Sequence, residues 1–255
     1  MSVPDPWPRL SALTPARIGI GRAGSGLGTR ETLRFALAHA QARDAVHAEL
    51  DVGKLAAKLA TPGLDSFQVA SRAAGRASYL LRPDLGRSLI SESRALLESR
   101  AGTGCDIALV IADGLSASAV QAHAVNFVAA FLPLAQRHGW SPSPAVIVSQ
   151  GRVAIGDEIG ALLGARLTLL LIGERPGLSC PDSLGVYVTH APRPGRNDGE
   201  RNCVSNIHGA GLAPSEAAAR VAWLVEAAFA RGLSGVALKD ESASNTSPRL
   251  ATDAI

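Results

Sequence analysis

The chain has 255 residues, 47% hydrophobic but only 4% aromatic, so its core must be built from alanine and branched aliphatic side chains. Its formal net charge is +3, lysine stands only at Lys54, Lys58 and Lys239, and the arginines are scattered without the dense block of a nucleic-acid footprint. No apolar run approaches the roughly 18 residues that span a bilayer, the N-terminus lacks a basic-then-apolar leader, and Cys105, Cys180 and Cys203 show no CxxC spacing; the expectation is a cytoplasmic protein with reduced thiols, no nucleic-acid partner and no membrane.

Residues 1–16 hold Pro4, Pro6, Pro8 and Pro15 and read as an extended arm. Helical spacing follows, with Leu33, Ala36, Leu37 and Ala40 on one face, and a second helix is expected at 84–99 with Leu85, Leu89, Leu96 and Leu97 as its stripe. No strand is read before residue 105, so 17–100 is expected to be a small helical N-terminal domain. The pattern then changes. Short buried strands are read at 106–112, 145–149, 166–172 and 184–189, and the first three are separated by helices at 117–132, which Pro133 should end or kink, and 153–163. A helix at 214–230 starts at Pro214 and stops at Arg231-Gly232, and 235–239 is read as a last strand. Strand–helix alternation predicts an α/β fold over 101–239: a Rossmann-like, mainly parallel sheet with flanking helices. The polar tail 240–255 is expected to be disordered.

Two motifs are decoys. Gly19, Gly21 and Gly24 spell GxGxxG, but that fingerprint needs a strand before it, a helix directly after it and an acid at a second strand's end; here Asp44 falls inside a predicted helix. A nicotinamide-dependent oxidoreductase is therefore a rival reading of low standing. "NIHGAG" at 206–211 is one residue short of DxHxxG, the spacing by which some corrinoid enzymes put a histidine on cobalt. Asn206 replaces the acid, which favours a hydrogen-bonding role for His208 over a ligand role. The sequence contains no GxxxxGK[ST], HExxH or GxSxG, and no catalytic acid–base pair declares itself. No catalytic residue and no metal ligand is assigned to this chain, which suits a protein that binds rather than one that performs chemistry alone.

Three strands end in glycine-rich polar loops, "ADGLSAS", "SQGRVAIGD" and "GERPG". Glycine permits close backbone approach to a ligand, and ligands of open α/β sheets lie beyond the carboxyl ends of the strands. Val153 at the second tip, Glu174 at the third and Cys203 after the fourth strand are expected to converge on one edge. Taken singly, Val153 also fits plain core, Glu174 an ion pair with Arg175, and Cys203 a small buried hydrophobe. Together they suit a large ligand with ring, amide and hydroxyl groups.

Seven blocks, "ARIGIGRAGSGLGT", "LAHAQARDAVH", "YLLRPDLGRSL", "DGLSASAVQAHA", "VSQGRVAIGDEIGALLGA", "LLIGERPGL" and "CVSNIHGAG", occur in this order. In them the chain resembles the small subunit of ethanolamine ammonia-lyase. The resemblance implies an adenosylcobalamin-dependent carbon–nitrogen lyase that converts ethanolamine to acetaldehyde and ammonia by a radical route. It implies a large subunit that binds substrate and carries catalysis, in a hetero-oligomer whose small subunit closes over the cobalamin. The cofactor contacts it implies are the valine of "GRV", the glutamate of "GERPG" and the cysteine of "CVSNIH", here Val153, Glu174 and Cys203. The cofactor is expected base-on, so His208 need not reach cobalt. Cytoplasm is the expected location, within a bacterial microcompartment where one exists. A purely structural assembly protein is the other rival reading, and the glycine-rich strand tips argue against it.

Overall fold

The computed structural model describes residues 5–14, 16–100 and 104–242. In chain order its elements are α1 (Trp7–Ser11), β1 (Arg22–Ala23), β2 (Gly26–Leu27), α2 (Thr29–His47), α3 (Val52–Leu59), β3 (Ser66–Ala70), α4 (Arg76–Leu81) and α5 (Ser91–Arg100). There follow β4 (Ile107–Ala112), α6 (Ala117–Ala119), α7 (Val125–Arg137), β5 (Ala145–Ser149), α8 (Ile155–Leu162), β6 (Leu167–Gly173), β7 (Leu184–His190), β8 (Asn202–Ile207) and α9 (Pro214–Arg231).

Six strands form one mixed sheet in the order β3-β5-β4-β6-β7-β8. β3, β5, β4 and β6 pair in parallel, whereas β6–β7 and β7–β8 are antiparallel. β4 and β6 are buried at every position, as continuous apolar runs in the middle of a two-faced sheet require. Their side chains alternate between two cores. Ile107, Leu109 and Ile111 face Phe127, Val128 and Phe131 of α7 together with Val221, Leu224 and Val225 of α9. Ala108, Val110 and Ala112 face Ile155 and Ile159 of α8 and Leu97 of α5. α9 begins with Pro214 in its first turn and ends at Gly232, whose φ of 67° supplies the left-handed residue that closes a helix.

Several expectations need correction. Residues 66–70 are a strand at the sheet edge, so the 17–100 region is not wholly helical; "SFQVA" lacks the apolar run that marked its neighbours, because an edge strand buries little. The sheet is less parallel than expected: β7 pairs antiparallel with β6, and β8, missed for the same reason as β3, pairs antiparallel with β7. Residues 235–239 form no strand: Gly235 sits at φ 88°, outside strand geometry, although Leu238 is buried. The described part of the N-terminal arm contains a helix, α1, which starts as Pro6-Trp7-Pro8 lets it, with proline in the first turn. Within 84–99 a 3₁₀ turn at Leu85–Arg87 precedes α5, which starts only at Ser91. The expected tail from 243 onward lies outside the described residues.

Pro133 does not end its helix; α7 continues to Arg137. With the π turn at Val120–Ala124, the helical stretch Ala117–Arg137 is long and apolar enough to cross a bilayer by length and composition, yet Val120, Phe127, Val128 and Phe131 are fully buried against the sheet. The stripe read on α2 does exist but faces outward. Leu33 and Leu37 are 65% and 60% exposed, while Ala38 and Ala45 are the residues of this helix that are buried.

The tips of β4 and β6 touch. Leu115 N–H donates to Gly173 O at 2.9 Å, and a Cβ on Gly173 would meet Ser116 O at 2.0 Å and Asp113 O at 2.6 Å. Gly173→Ala is therefore expected to destabilise the isolated chain by about 1–3 kcal/mol through overpacking. A urea denaturation midpoint equal to that of the parent would contradict the contact.

Candidate functional site

The strand tips are organised by Asp113, which follows β4 and is 4% exposed. Its Oδ1 accepts from the N–H groups of Gly114 (2.9 Å) and Gly151 (3.1 Å), and its Oδ2 from the N–H of Gln150 (2.8 Å). Burial pushes its carboxyl up, and the backbone donors and the Arg76 guanidinium oppose that shift. Gln150 is held at φ 56°, a left-handed conformation that non-glycine residues seldom adopt. The loop after β5 is thus fixed by the residue after β4.

A second layer comes from α4. Arg76 donates to Val46 O and, at 2.7 Å, to Gly114 O. The Tyr79 hydroxyl donates to Gly151 O at 3.2 Å, and burial pushes its pKa up to about 12 against the pull of Arg152. Two guanidiniums lie over the Tyr79 ring, Arg152 at 4.0 Å from the centroid and Arg76 at 4.8 Å. Cation–π contacts of this desolvated kind contribute about 1–2 kcal/mol each. Arg152 also donates through Nη2 to Tyr79 O at 3.1 Å, and its backbone N–H donates to Gly86 O at 2.7 Å.

Above this layer lies a depression of about 300 Å³ whose wall includes Val153, Glu174, Tyr187, Arg152, Leu115 and Tyr79. Two of the three sequence-read residues therefore share one pocket. Val153 sits in the turn just before α8 rather than opening it, half-buried against the α8-side core. Glu174 follows β6 directly. Its N–H donates to Ser183 O at 2.9 Å, and its Oε2 accepts from the Ser183 hydroxyl and from the Asn206 N–H at 3.3 Å. No arginine lies within ion-pair range of Glu174 among the described residues, so the pairing with Arg175 weighed on sequence grounds is not formed. Oε1 has no hydrogen-bond partner among the described residues and packs over Gly185, where a Cβ would approach it to 3.0 Å.

Cys203 does not line this depression; it neighbours it through β7. It is the direct cross-strand partner of Tyr187. The residue is exposed overall, yet its thiol is pushed up to about 11, chiefly by desolvation, with the Tyr187 hydroxyl pulling the other way by hydrogen bonding. The Tyr187 phenol is likewise raised by burial. Both are neutral at physiological pH, which makes the Cys203 side a weakly polar wall.

The glycines at the tips act differently from the sequence reading. A Cβ on Gly114 would meet Gly173 O at 2.3 Å, and one on Gly151 would meet Ala112 Cβ at 2.9 Å. They admit neighbouring protein atoms, backbone of Gly173 at Gly114 and the Ala112 and Val148 side chains at Gly151. The GxGxxG glycines surround the β1–β2 hairpin, with Gly24 at φ 62° beside its turn, and lack both the preceding strand and an immediately following helix. In the "NIHGAG" loop, Asn206 is at φ 63°, His208 Nδ1 accepts from Ala210 N–H at 3.3 Å, and Nε2 pairs with Asn206 Oδ1 at 2.8 Å. Both ring nitrogens are thus used within the loop.

Sequence reasoning missed Asp113, Tyr79, Arg152, Ser183 and Tyr187. Asp113 had a signal, standing directly after a buried strand in "ADG". Arg152 adjoins Val153, but nothing in its spelling announces the ring beneath it.

Comparison with known proteins gives a consistent family. A model described as the ethanolamine ammonia-lyase light chain matches residues 4–239. Three similar proteins carry the name "Ethanolamine ammonia-lyase small subunit". One from Rhodopseudomonas palustris (strain BisA53) is 56% identical over 233 residues, covering 91% of this chain and 89% of its own length. One from Bradyrhizobium diazoefficiens is 54% identical over 244 residues (95% and 94%), and one from Xanthomonas campestris pv. campestris is 53% identical over 252 residues (98% and 92%).

The state of the Cys203 thiol is directly measurable. Its alkylation by iodoacetamide, followed by peptide mass spectrometry, is expected to rise about tenfold per pH unit from pH 7 to 10, because the thiolate is the nucleophile. A plateau near pH 9 would mark an ordinary, solvated cysteine.

Proposed function

Because the chain belongs to the ethanolamine ammonia-lyase light-chain family, we propose that it is the small subunit of an ethanolamine ammonia-lyase and closes, with a larger subunit, over adenosylcobalamin. When bound, the cofactor supplies the radical chemistry that converts ethanolamine to acetaldehyde and ammonia, and the larger subunit binds the substrate. This chain positions the cofactor and excludes water. The parallel part of the sheet within 101–239 is read as its Rossmann-like, cobalamin-contacting unit. Its location is read as cytoplasmic, inside a microcompartment where one is present.

One observation carries the reading: Val153 and Glu174 line a single pocket at the carboxyl edge of β5 and β6, with Tyr187 bringing Cys203 beside it. Ligands of open α/β sheets sit at this edge, where the connections of β4 and β6 diverge. The residues also fit the chemistry of a corrinoid. Glu174 keeps Oε1 for an incoming amide or hydroxyl donor, since Ser183 and Asn206 hold Oε2. Val153 offers an apolar surface to ring edges, and Cys203 with Tyr187 offers a neutral one. Arg152 also lines the pocket, and its Nε is buried without a hydrogen-bond partner among the described residues. No side chain of this pocket is needed as a proton carrier. The outward stripe of α2, with Leu33 and Leu37, is apolar surface that a subunit partner would cover.

The test is reconstitution. The chain, its larger partner and adenosylcobalamin are mixed and gel-filtered, and a corrinoid spectrum is expected in the peak that contains both chains. Co-elution of the chains without corrinoid would remove the cofactor role. Glu174→Ala is expected to leave co-elution intact and weaken cobalamin binding about tenfold or more, the loss of one hydrogen bond to a charged group. Unchanged affinity would sink the assignment of Glu174.

A further inference from the structure

Beyond Arg152 and Val153, which line both, a second cavity of about 590 Å³ adjoins the Glu174 pocket. Five arginines line it: Arg87, Arg94, Arg152, Arg196 and Arg201. Three are neutralised. Arg94 pairs with Glu158, Arg196 with Glu200, and the almost fully buried Arg201 with both Asp157 and Asp198. Arg87 and Arg152 have no carboxylate within ion-pair range among the described residues. Five guanidiniums therefore meet four carboxylates, leaving one positive charge on the wall.

The hydrogen bonding is also incomplete. The Nε atoms of Arg152 and Arg201 are buried with no acceptor, although buried donors in folded proteins are nearly always satisfied. Arg152 is fixed before any ligand arrives. Its plane lies over Tyr79, its Nη2 is bonded to Tyr79 O, and its stem crosses Gly86 so closely that a Cβ there would meet Arg152 Cγ at 2.7 Å. A guanidinium held in this way presents its remaining donors as a preformed fork for an oxyanion.

We propose that Arg87 and Arg152 form an oxyanion subsite for a phosphodiester-class monoanion, carried by the same ligand that occupies the Glu174 pocket. One unmatched positive charge suits a monoanion; a phosphomonoester dianion would leave a buried negative charge uncompensated. The proposal rests on the corrinoid reading, since cobalamin bears one phosphodiester in its nucleotide loop. Arg152, as the shared wall, makes the two cavities subsites of one ligand.

The test uses the two-subunit complex and a pair of corrinoids, cyanocobalamin and dicyanocobinamide, the second of which lacks the nucleotide loop and its phosphodiester. Arg87→Gln/Arg152→Gln is expected to weaken cyanocobalamin binding at least tenfold more than it weakens cobinamide binding, since Arg152 also walls the Glu174 pocket. Equal loss for both ligands, or loss for neither, would overturn the subsite. Arg87 is exposed, so Arg87→Gln alone tests the same selectivity without disturbing the Tyr79 stack, with an expected loss of a few-fold for cyanocobalamin only. If the parent complex binds neither corrinoid, the cofactor reading fails by itself, and calorimetric titration of the chain with dimethyl phosphate decides the subsite. Binding that the double variant loses would support a phosphodiester from another source, and absence of binding to the parent would overturn it.

Discussion

A buried carboxylate, Asp113, that collects three backbone N–H groups sets the geometry of the strand tips. Removing the Asp113 charge from water costs several kcal/mol, and three charge-assisted hydrogen bonds at about 1.5–3 kcal/mol each offset it. The same bonds hold Gln150 in its left-handed conformation, whose cost of about 1–3 kcal/mol the surrounding structure must cover. Because the donors come from the loops after both β4 and β5, neither tip can move without breaking the other's contacts. The close approach of Gly173 to the β4 loop ties in β6 as well. The three tips behave as one unit.

That rigidity bears on the proposed role. A subunit that holds a large ligand gains affinity when its contact groups are already in place, because ordering costs have been met on folding. Arg152 and Tyr79 are ordered by the layer beneath the tips, and Glu174 by one hydroxyl and one backbone amide on a neighbouring hairpin. The division of labour in the carboxylate is informative. One oxygen, Oε2, anchors the side chain to the protein, while Oε1 has no hydrogen-bond partner among the described residues. Cys203 and Tyr187, both kept neutral by burial, complete a wall with little charge beside a cavity lined with arginine. The site is thus polarised: toward β7 and β8 the neutral Cys203 and Tyr187 flank the Glu174 carboxylate, and the opposite side is positive with Arg87 and Arg152.

Much of this was legible in the sequence, and its limits have physical causes. The central strands β4, β5 and β6 and the helices α8 and α9 follow from apolar runs and helix-end residues, since burial on both faces writes itself as uninterrupted hydrophobicity. β3 and β8 do not, because edge strands bury part of one face and read as mixed segments. The stripe of α2 shows the complementary limit: helical spacing placed Leu33 and Leu37 on a common face but carried no information on what covers it.

The sequence by itself determined the α/β class, the family, and the presence of Val153 and Glu174 at strand tips, because strand ends are local events. Only the tertiary structure decided that Val153 and Glu174 share a pocket, that Tyr187 carries Cys203 to it across a strand pair, and that Arg152 lies over Tyr79 beside a second, arginine-lined cavity. It also decided that the tip glycines Gly114, Gly151 and Gly173 make room for neighbouring protein atoms. The reason is the same in each case. These are contacts between segments distant in the chain, set by sheet order and register, and strand spelling specifies burial without specifying neighbours.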